Sequence, residues 1–391
     1  MSQTLFDILG CTSRESLKNT AKLLGTTTSI LQYYNDSHVL PSAKLLDTIE
    51  EKAGINQVTL MLKMGIYSPW LMNALSKYSD QISPLLPEIG NIETIRNIPD
   101  EPSFTTEYGQ LYNLDCIKLL STIESESIDL VFADPPFNLN KFYKSEINDS
   151  LHDKEYFDWC IAWIDESIRV LKPGGSLFIW NLPKWNSKYA QYIHDRLNFR
   201  HWIATDIKTR LPIKGRLYPA HYSLLYFIKG PQPNVFEPDR MPMEVCPKCY
   251  NDLKDYGGYK NKMNPLGVNL TDVWYDIPPV RHKKHKKREE ANELSIKLLD
   301  RIIELSTNEN DIIFDPFGGA GTTYIVAELK KRRWIGTELG PVDTIIDRFS
   351  DIQDEAETLC EYRNQYNKLF PHKIKEKRKK LNLWTDETFS Q

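Results

Sequence analysis

Phe314-Asp315-Pro316-Phe317-Gly318-Gly319-Ala320-Gly321-Thr322-Thr323 is the stretch on which the reading of the fold turns. Residues 311–315 are apolar enough to predict a buried strand, the glycines predict a tight loop, and residues 321–331 predict a helix. Strand, glycine loop and helix in that order let backbone approach a ligand where side chains would collide. Glu338 closes the next predicted strand, residues 334–338, and lies 17 residues past Gly321. A carboxylate at such a strand end accepts hydrogen bonds from ribose hydroxyls. Glycine turns also cradle nucleotide phosphates, but no Gly-Lys-Ser/Thr follows these glycines, which argues against a Walker loop.

About 180 residues upstream stands Ala133-Asp134-Pro135-Pro136-Phe137. Residues 127–133 read as a buried strand running straight into Asp134, and two consecutive prolines stiffen the backbone there while removing two donors. Around these two anchors, strands and helices alternate. Residues 109–112 predict a strand leading to Asp115, 116–123 a helix, 156–171 a helix ending at Lys172-Pro173-Gly174-Gly175, and 176–180 a strand. Strands follow at 201–205 and 222–228, and an amphipathic helix at 290–305. Such alternation favours an α/β fold, a mostly parallel sheet with helices on both faces.

The flanking regions differ in character. Residues 14–53 predict a series of short helices, with Gly25 as a stop and Thr26-Thr27-Thr28-Ser29 as turn and cap. Residues 66–107 hold five prolines (Pro69, Pro84, Pro87, Pro99, Pro102) and read as a linker with short helices. Residues 231–288 are rich in Pro, Gly, Asn, Tyr and Lys and look inserted. The expected organisation is therefore a helical domain at 1–65, the linker at 66–107, a first α/β half at 108–230, an insert at 231–290, and a second α/β half with a basic tail at 291–391.

Composition excludes several classes. In 391 residues no apolar run approaches the ~20 needed to span a bilayer, and the first residues lack the features of a signal peptide, so a cytoplasmic location without membrane contact is expected. Six cysteines are too sparse for a disulfide framework. The net charge of −4 does not suit a non-specific nucleic-acid binder, but a sequence-reading protein needs only a local basic face. Two runs qualify, residues 281–288 (RHKKHKKR) and 373–380 (KIKEKRKK), the second reading more simply as a solvated charge run near a chain end.

The two motifs together resemble the amino-directed DNA methyltransferases of the N6-adenine/N4-cytosine family. Their order, with the Asp-Pro-Pro-Phe motif first, the glycine loop second and a long insert between, resembles the permuted beta class of that family. The resemblance covers residues 108–345 and implies a Rossmann-like methyltransferase sheet with S-adenosylmethionine as cofactor and double-stranded DNA as substrate. Asp134, Pro135, Pro136 and Phe137 would be catalytic. Asp115, Asp315, Phe317, Gly318, Gly319, Gly321, Thr322 and Glu338 would hold the cofactor, with Phe317 and the glycines on the methionine side and Asp115 toward adenine. The chemistry fits the residues. An exocyclic amine is a poor nucleophile because its lone pair is delocalised into the ring; Asp134 can accept one amine hydrogen and the Pro135 carbonyl the other. Phe137 can stack on a base flipped out of the duplex. Asp as the first motif residue leans toward adenine N6, with cytosine N4 as the alternative.

In the beta class the insert is the target-recognition region. Here Tyr250, Tyr256, Tyr259, Trp274 and Tyr275 alternate with Lys248, Lys254, Lys260 and Lys262, a mixture suited to phosphate contact and base stacking. Lys283, Lys284, Lys286, Lys287 and Arg288 are the expected DNA-contacting cations. Cys246 and Cys249, with His282 and His285, form a candidate zinc set, but the long gap and the neighbouring lysines weigh against it and no metal is expected. The His-Pro-Thr-Gln-Lys-Pro motif usual before the cofactor loop is absent, and Arg288-Glu289-Glu290-Ala291-Asn292-Glu293-Leu294-Ser295 stands in its place. The N-terminal helices resemble a phage-repressor helix-turn-helix whose second helix, residues 29–36, would present Gln32, Tyr33 and Asn35 to a groove. A transcriptional regulator with a methyltransferase-like fold is the reading from another class, and the intact Asp134-Pro135-Pro136-Phe137 argues against it. The resemblance further implies a role in restriction-modification or as an orphan enzyme, with a homodimer and a cognate restriction endonuclease as candidate partners.

Overall fold

A computed structural model describes residues 3–85, 101–138, 151–207, 214–215, 217–246, 251, 253, 257–278 and 293–388. The chain divides into two compact units, one of Met1–Ile95 with Asn138–Lys141 and Asn148–Cys160, the other of the remainder. Among the described residues no helix is long and apolar enough to cross a membrane.

The first unit holds α1 (Leu5–Leu9), α2 (Arg14–Leu23), α3 (Thr28–Asp36), α4 (Ala43–Ala53), α5 (Gln57–Met64), α6 (Pro69–Lys77) and α7 (Ser79–Ile82). Side chains of Thr4, Ser13, Thr27 and Asn56 accept backbone N–H groups that would otherwise be orphaned at four helix starts. Leu5, Leu24, Leu31, Ile49, Leu60 and Met64 close the core beneath them. α3 falls where the second helix of a helix-turn-helix was expected, but it presents less than expected. Asn35 accepts the Phe6 N–H at 3.0 Å and Gln32 donates to Asp36 at 2.7 Å, which leaves Tyr33 as the exposed member of the trio. Phe6 lies in the first turn of α1, where an N–H without a helical partner needs an acceptor, and Asn35 is committed to that packing.

The second unit holds β1 (Phe104–Thr105), β2 (Gly109–Tyr112), α8 (Cys116–Thr122), β3 (Ile128–Ala133), the part from Ile161 onward of α9 (Asp153–Val170), β4 (Leu171–Asn181), α10 (Pro183–Ile193), β5 (Asn198–Asp206), β6 (His221–Ile228), β7 (Arg240–Met241), β8 (Val268–Asn269), β9 (Val273–Trp274), α11 (Ile296–Ser306), β10 (Ile312–Asp315), α12 (Thr322–Leu329), β11 (Arg333–Thr337), α13 (Asp343–Ser350), α14 (Ile352–Arg363) and α15 (His372–Lys380). Nine strands make one sheet in the order β1-β2-β11-β10-β3-β4-β6-β5-β9. The run from β2 to β4 is parallel, whereas β6 is antiparallel to both neighbours and β1 to β2. Alternate residues of the strands point to opposite faces. Phe132, Phe178 and Tyr226 join one core cluster with Leu298 and Ile302 of α11 and Val326 of α12. On the other face Asn186 of α10 donates to the Ile179 carbonyl and to Ser223, pinning that helix across β4 and β6.

Three local expectations are corrected. α9 ends at Val170, within a residue of the expected end, but Lys172-Pro173-Gly174-Gly175 already belongs to β4, which was expected to start at 176. Gly174 takes φ +79° and donates its N–H to Lys229, and a Cβ there would lie 2.1 Å from the Asn234 Oδ1. α11 begins at Ile296, not at 290, with Ser295 as its N-cap. Trp274, expected to stack on a base, is 1% exposed: β9 adds to the edge of the sheet beside β5, and the Arg301 guanidinium lies 4.9 Å from its ring. Arg301 in turn makes a two-pronged pair with Asp276 at 2.9 and 2.7 Å, joined by Lys297. Burial works to raise the Asp276 pKa, but these two cations hold it down at about 2.

Candidate functional site

β10 and β3 are neighbours, paired through Ile313 with Leu130 and Phe314 with Val131. From β10 the chain crosses to β11 on one side, and from β3 it crosses to β4 on the other. This is a topological switch point, and in parallel sheets the crevice outside such strand ends is where ligands bind. Both sequence motifs sit there, the glycine loop after β10 and Asp134-Pro135-Pro136-Phe137 after β3. Separated by about 180 residues in sequence, they are brought to the ends of adjacent strands.

The glycine loop is held from all sides. Gly318 donates to the Thr337 carbonyl at 2.8 Å, and Gly321 to Gly318 at 2.7 Å. Gly321 is the N-cap of α12 with φ +72°, and a Cβ on it would lie 2.7 Å from Ile345 Cγ2. Asp315 accepts the Phe317 N–H at 2.9 Å. Burial pushes the Asp315 pKa up to about 7, Glu338 adds to that rise, and hydrogen bonds from Thr323 and Phe317 oppose it. Glu338 accepts from Gly319 through Oε2 and from Gly340 through Oε1, each at 2.8 Å. Its carboxylate therefore braces the loop. Asp115 caps α8 by accepting from Ile117 and Lys118 at 3.0 and 3.2 Å, at the carboxyl end of β2, the strand beside β11.

Around the other motif, Asp134 is 9% exposed. The Phe137 ring lies 6.0 Å from Tyr222, which lies 4.9 Å from Trp180. Phe317 packs edge-on against Trp163 at 5.3 Å.

Several supporting residues were not anticipated. Trp185 of α10 donates its indole N–H to the Phe137 carbonyl at 2.9 Å. Arg348 of α13, fully buried, donates to the Ala320 carbonyl and to Thr322 Oγ1 at 2.8 Å each, and pairs with Glu355. Asn113 donates to the carbonyls of Glu338 and Gly340, strapping the strand end that carries the carboxylate. Pro183 at the first helical position after β4 was a signal for the helix that supplies Trp185; nothing local marked Arg348 or Asn113.

Lys283, Lys284, Lys286, Lys287 and Arg288 lie outside the described residues, as do Cys249, His282 and His285. Cys246 is described and exposed. No cluster of metal-ligating side chains occurs among the described residues.

A sheet that is parallel from β2 to β4, with a glycine loop and an Asp-Pro-Pro-Phe turn at its switch point, is an arrangement that can hold a nucleotide-like cofactor beside a polar acceptor. The chain belongs to the DNA methylase family of N6/N4 methyltransferases, whose profile matches residues 128–344. S-adenosylmethionine is the methyl donor of this enzyme class, and the glycine cradle with Glu338 at the neighbouring strand end fits it. The chain is 46% identical over 394 residues to the type II methyltransferase M.BamHI of Bacillus amyloliquefaciens, covering 96% of this chain and 92% of that one. It is 30% identical over 247 residues to the DNA adenine methyltransferase YhdJ of Escherichia coli (strain K12), covering 61% and 81%. Among solved structures, the PvuII DNA methyltransferase (cytosine-N4-specific) matches with a TM-score of 0.46 and 22% identity, over 67% of this chain and 96% of that one.

Proposed function

We propose that the protein is a type II DNA methyltransferase that places a methyl group on the exocyclic amine of a base flipped out of duplex DNA. The placement of both motifs at the ends of β3 and β10 carries this reading. It is the arrangement in which an acceptor for amine hydrogens and a cofactor loop face one crevice. S-adenosylmethionine, when bound, supplies an already activated methyl, so the protein's part is orientation and electrostatics. Asp134 accepts one amine hydrogen and the Pro135 carbonyl the other, which turns the nitrogen lone pair out of the ring toward the crevice. Phe137, with Tyr222 beside it, supplies the aromatic wall for the base. Trp185 holds the Phe137 carbonyl, so the motif enters the crevice already ordered. Glu338, Asp115, Phe317, Gly318, Gly319, Gly321 and Thr322 hold the cofactor, and Asp315 fixes the Phe317 turn.

For the target base, the Asp134 motif leans to adenine N6 and YhdJ is named an adenine enzyme, whereas the PvuII enzyme is named cytosine-N4-specific. The similarity to M.BamHI runs through the insert and the N-terminal helices, over 96% of the chain, and favours the base and site that M.BamHI modifies. The cations of residues 283–288 then contact phosphate within the recognition insert, and a homodimer and a cognate endonuclease complete the proposed system. Methyl transfer from labelled cofactor, followed by nucleoside mass spectrometry, tests the activity and reads N4-methylcytosine against N6-methyladenine. Duplex DNA first modified to completion by M.BamHI is expected to accept no further label; undiminished labelling sinks the shared site. Asp134→Ala is expected to lose transfer while still binding cofactor, and a folded variant with appreciable turnover removes Asp134 from the mechanism.

A further inference from the structure

α2 carries three cations, Arg14, Lys18 and Lys22, and one acid, Glu15, which stands in the first turn, where the helix N-terminus favours a negative charge. All three cations are exposed. Their spacing of i, i+4 and i+8 sets them in one stripe along the helix. Leu17, Ala21 and Leu24 turn the neighbouring face into the core of the unit, which leaves the stripe to solvent. Among the described residues none of the three side chains makes an ion pair or a hydrogen bond. The other acids of residues 3–65 lie elsewhere. Asp7 accepts from Thr4, Asp36 accepts from Gln32 and Asn35, and Asp47, Glu50 and Glu51 share α4 with Lys44 and Lys52.

Four residues, 24–27, join α2 to α3; in this turn Gly25 takes φ +62° and Thr26 donates its N–H to the Ala21 carbonyl at 2.9 Å. Leu24 and Leu31 close the corner in the shared core. On α3, Ser29, Ile30 and Tyr33 are exposed. Two helices joined by a short glycine-containing turn are the arrangement in which the first helix crosses the DNA backbone and the second enters the groove. The stripe lies on the first of the two. From Arg14 to Lys22 it runs about 12 Å at 1.5 Å per residue. With ~3.4 Å of rise per nucleotide along one strand, that length spans roughly three to four phosphates.

We propose that Arg14, Lys18 and Lys22 form a phosphate-binding site for duplex DNA, carried on a unit other than the one that holds the two motifs. The duplex backbone is the occupant by charge, by length and by the place of α2 before the turn. Gln32 and Asn35, which the sequence offered as base readers, are held by Asp36 and Phe6, so the contact moves from α3 to the cations of α2. Phosphate contacts position a protein without reading bases, and the site therefore adds affinity and leaves the choice of target to the rest of the chain. This rests on the DNA methyltransferase reading above.

The test compares the full chain with Arg14→Gln/Lys18→Gln/Lys22→Gln and with Lys44→Gln/Lys52→Gln/Lys63→Gln, which removes the same charge from exposed positions of α4 and α5. Binding is read by anisotropy of a fluorescent duplex between about 50 and 200 mM salt. Each phosphate contact contributes about 0.9 to the slope of log affinity against log salt, so the stripe variant is expected to lose about two to three units of slope. The α4 and α5 variant is expected to keep the parental slope, and both are expected to keep the parental thermal midpoint. Each single stripe substitution is expected to lose about one unit, which keeps the test decisive if the triple variant fails to fold. A folded stripe variant with the parental slope overturns the site, as does an equal loss in both triple variants, which shows bulk charge and not the stripe. An unaltered chain that neither binds the duplex nor methylates it overturns the enzymatic reading itself.

Discussion

Glu338 offers the sharpest separation between holding the fold and holding the cofactor. Its two carboxylate oxygens accept the N–H groups of Gly319 and Gly340, both at 2.8 Å. Hydrogen bonds to a charged group contribute about 1.5 to 3 kcal/mol each. Glu338 is only half-buried, so water replaces part of what is lost, and about 1 to 3 kcal/mol is expected for the pair in Glu338→Ala. That is the structural part, read as a shift in the urea unfolding midpoint of the cofactor-free protein. If the carboxylate also accepts ribose hydroxyls, cofactor affinity falls further, and loss of even one such bond, at about 1.4 kcal/mol or more, raises Kd tenfold. Titration calorimetry on the folded variant, well below its melting temperature, reads this second part separately. Glu338→Gln keeps one oxygen acceptor and is expected to fall between the two proteins in both measurements. A destabilised Glu338→Ala protein with unchanged cofactor affinity would refute the ribose assignment and leave Glu338 as a brace of the loop.

Gly321→Ala is expected to cost about 1 to 2 kcal/mol for a side chain at left-handed backbone, with a further cost for the Cβ set 2.7 Å from Ile345 Cγ2; an unchanged unfolding midpoint for Gly321→Ala removes the steric argument. Asp315 has its pKa raised to about 7 in the fold against an ordinary 3.8, so the native state holds its proton longer than the unfolded chain. Its contribution is fully present below 3.8 and is lost as pH rises to about 7, and Asp315→Asn is expected to flatten the stability profile across that window; a profile parallel to the parent contradicts the assignment. Trp185→Phe leaves the buried Phe137 carbonyl without its donor, at a cost of about 1 to 3 kcal/mol, and is expected to slow single-turnover methylation with cofactor affinity intact; equal rates in the two proteins show that the motif is ordered without this bond.

Local pattern alone determined the strand before Asp134, the strand and helix flanking Gly318, Gly319 and Gly321, and Glu338 at the end of its own strand, because each depends on an apolar run of definite length bounded by glycine or proline. The α/β class followed from the same alternation. Position in the sheet is a property of pairing between distant segments, and no local pattern encodes it. Only the tertiary structure decided that β3 and β10 are neighbours and that their two motifs follow the ends of adjacent strands. Packing also reassigned residues whose types look functional. Asn35 satisfies the start of α1, Trp274 lies under Arg301 at the sheet edge, and Lys375, Arg378 and Lys379 face acids and rings of the same chain. A polar or aromatic side chain reads alike in sequence whether it meets solvent, ligand or protein, and what it meets is set by the elements that the fold lays against it.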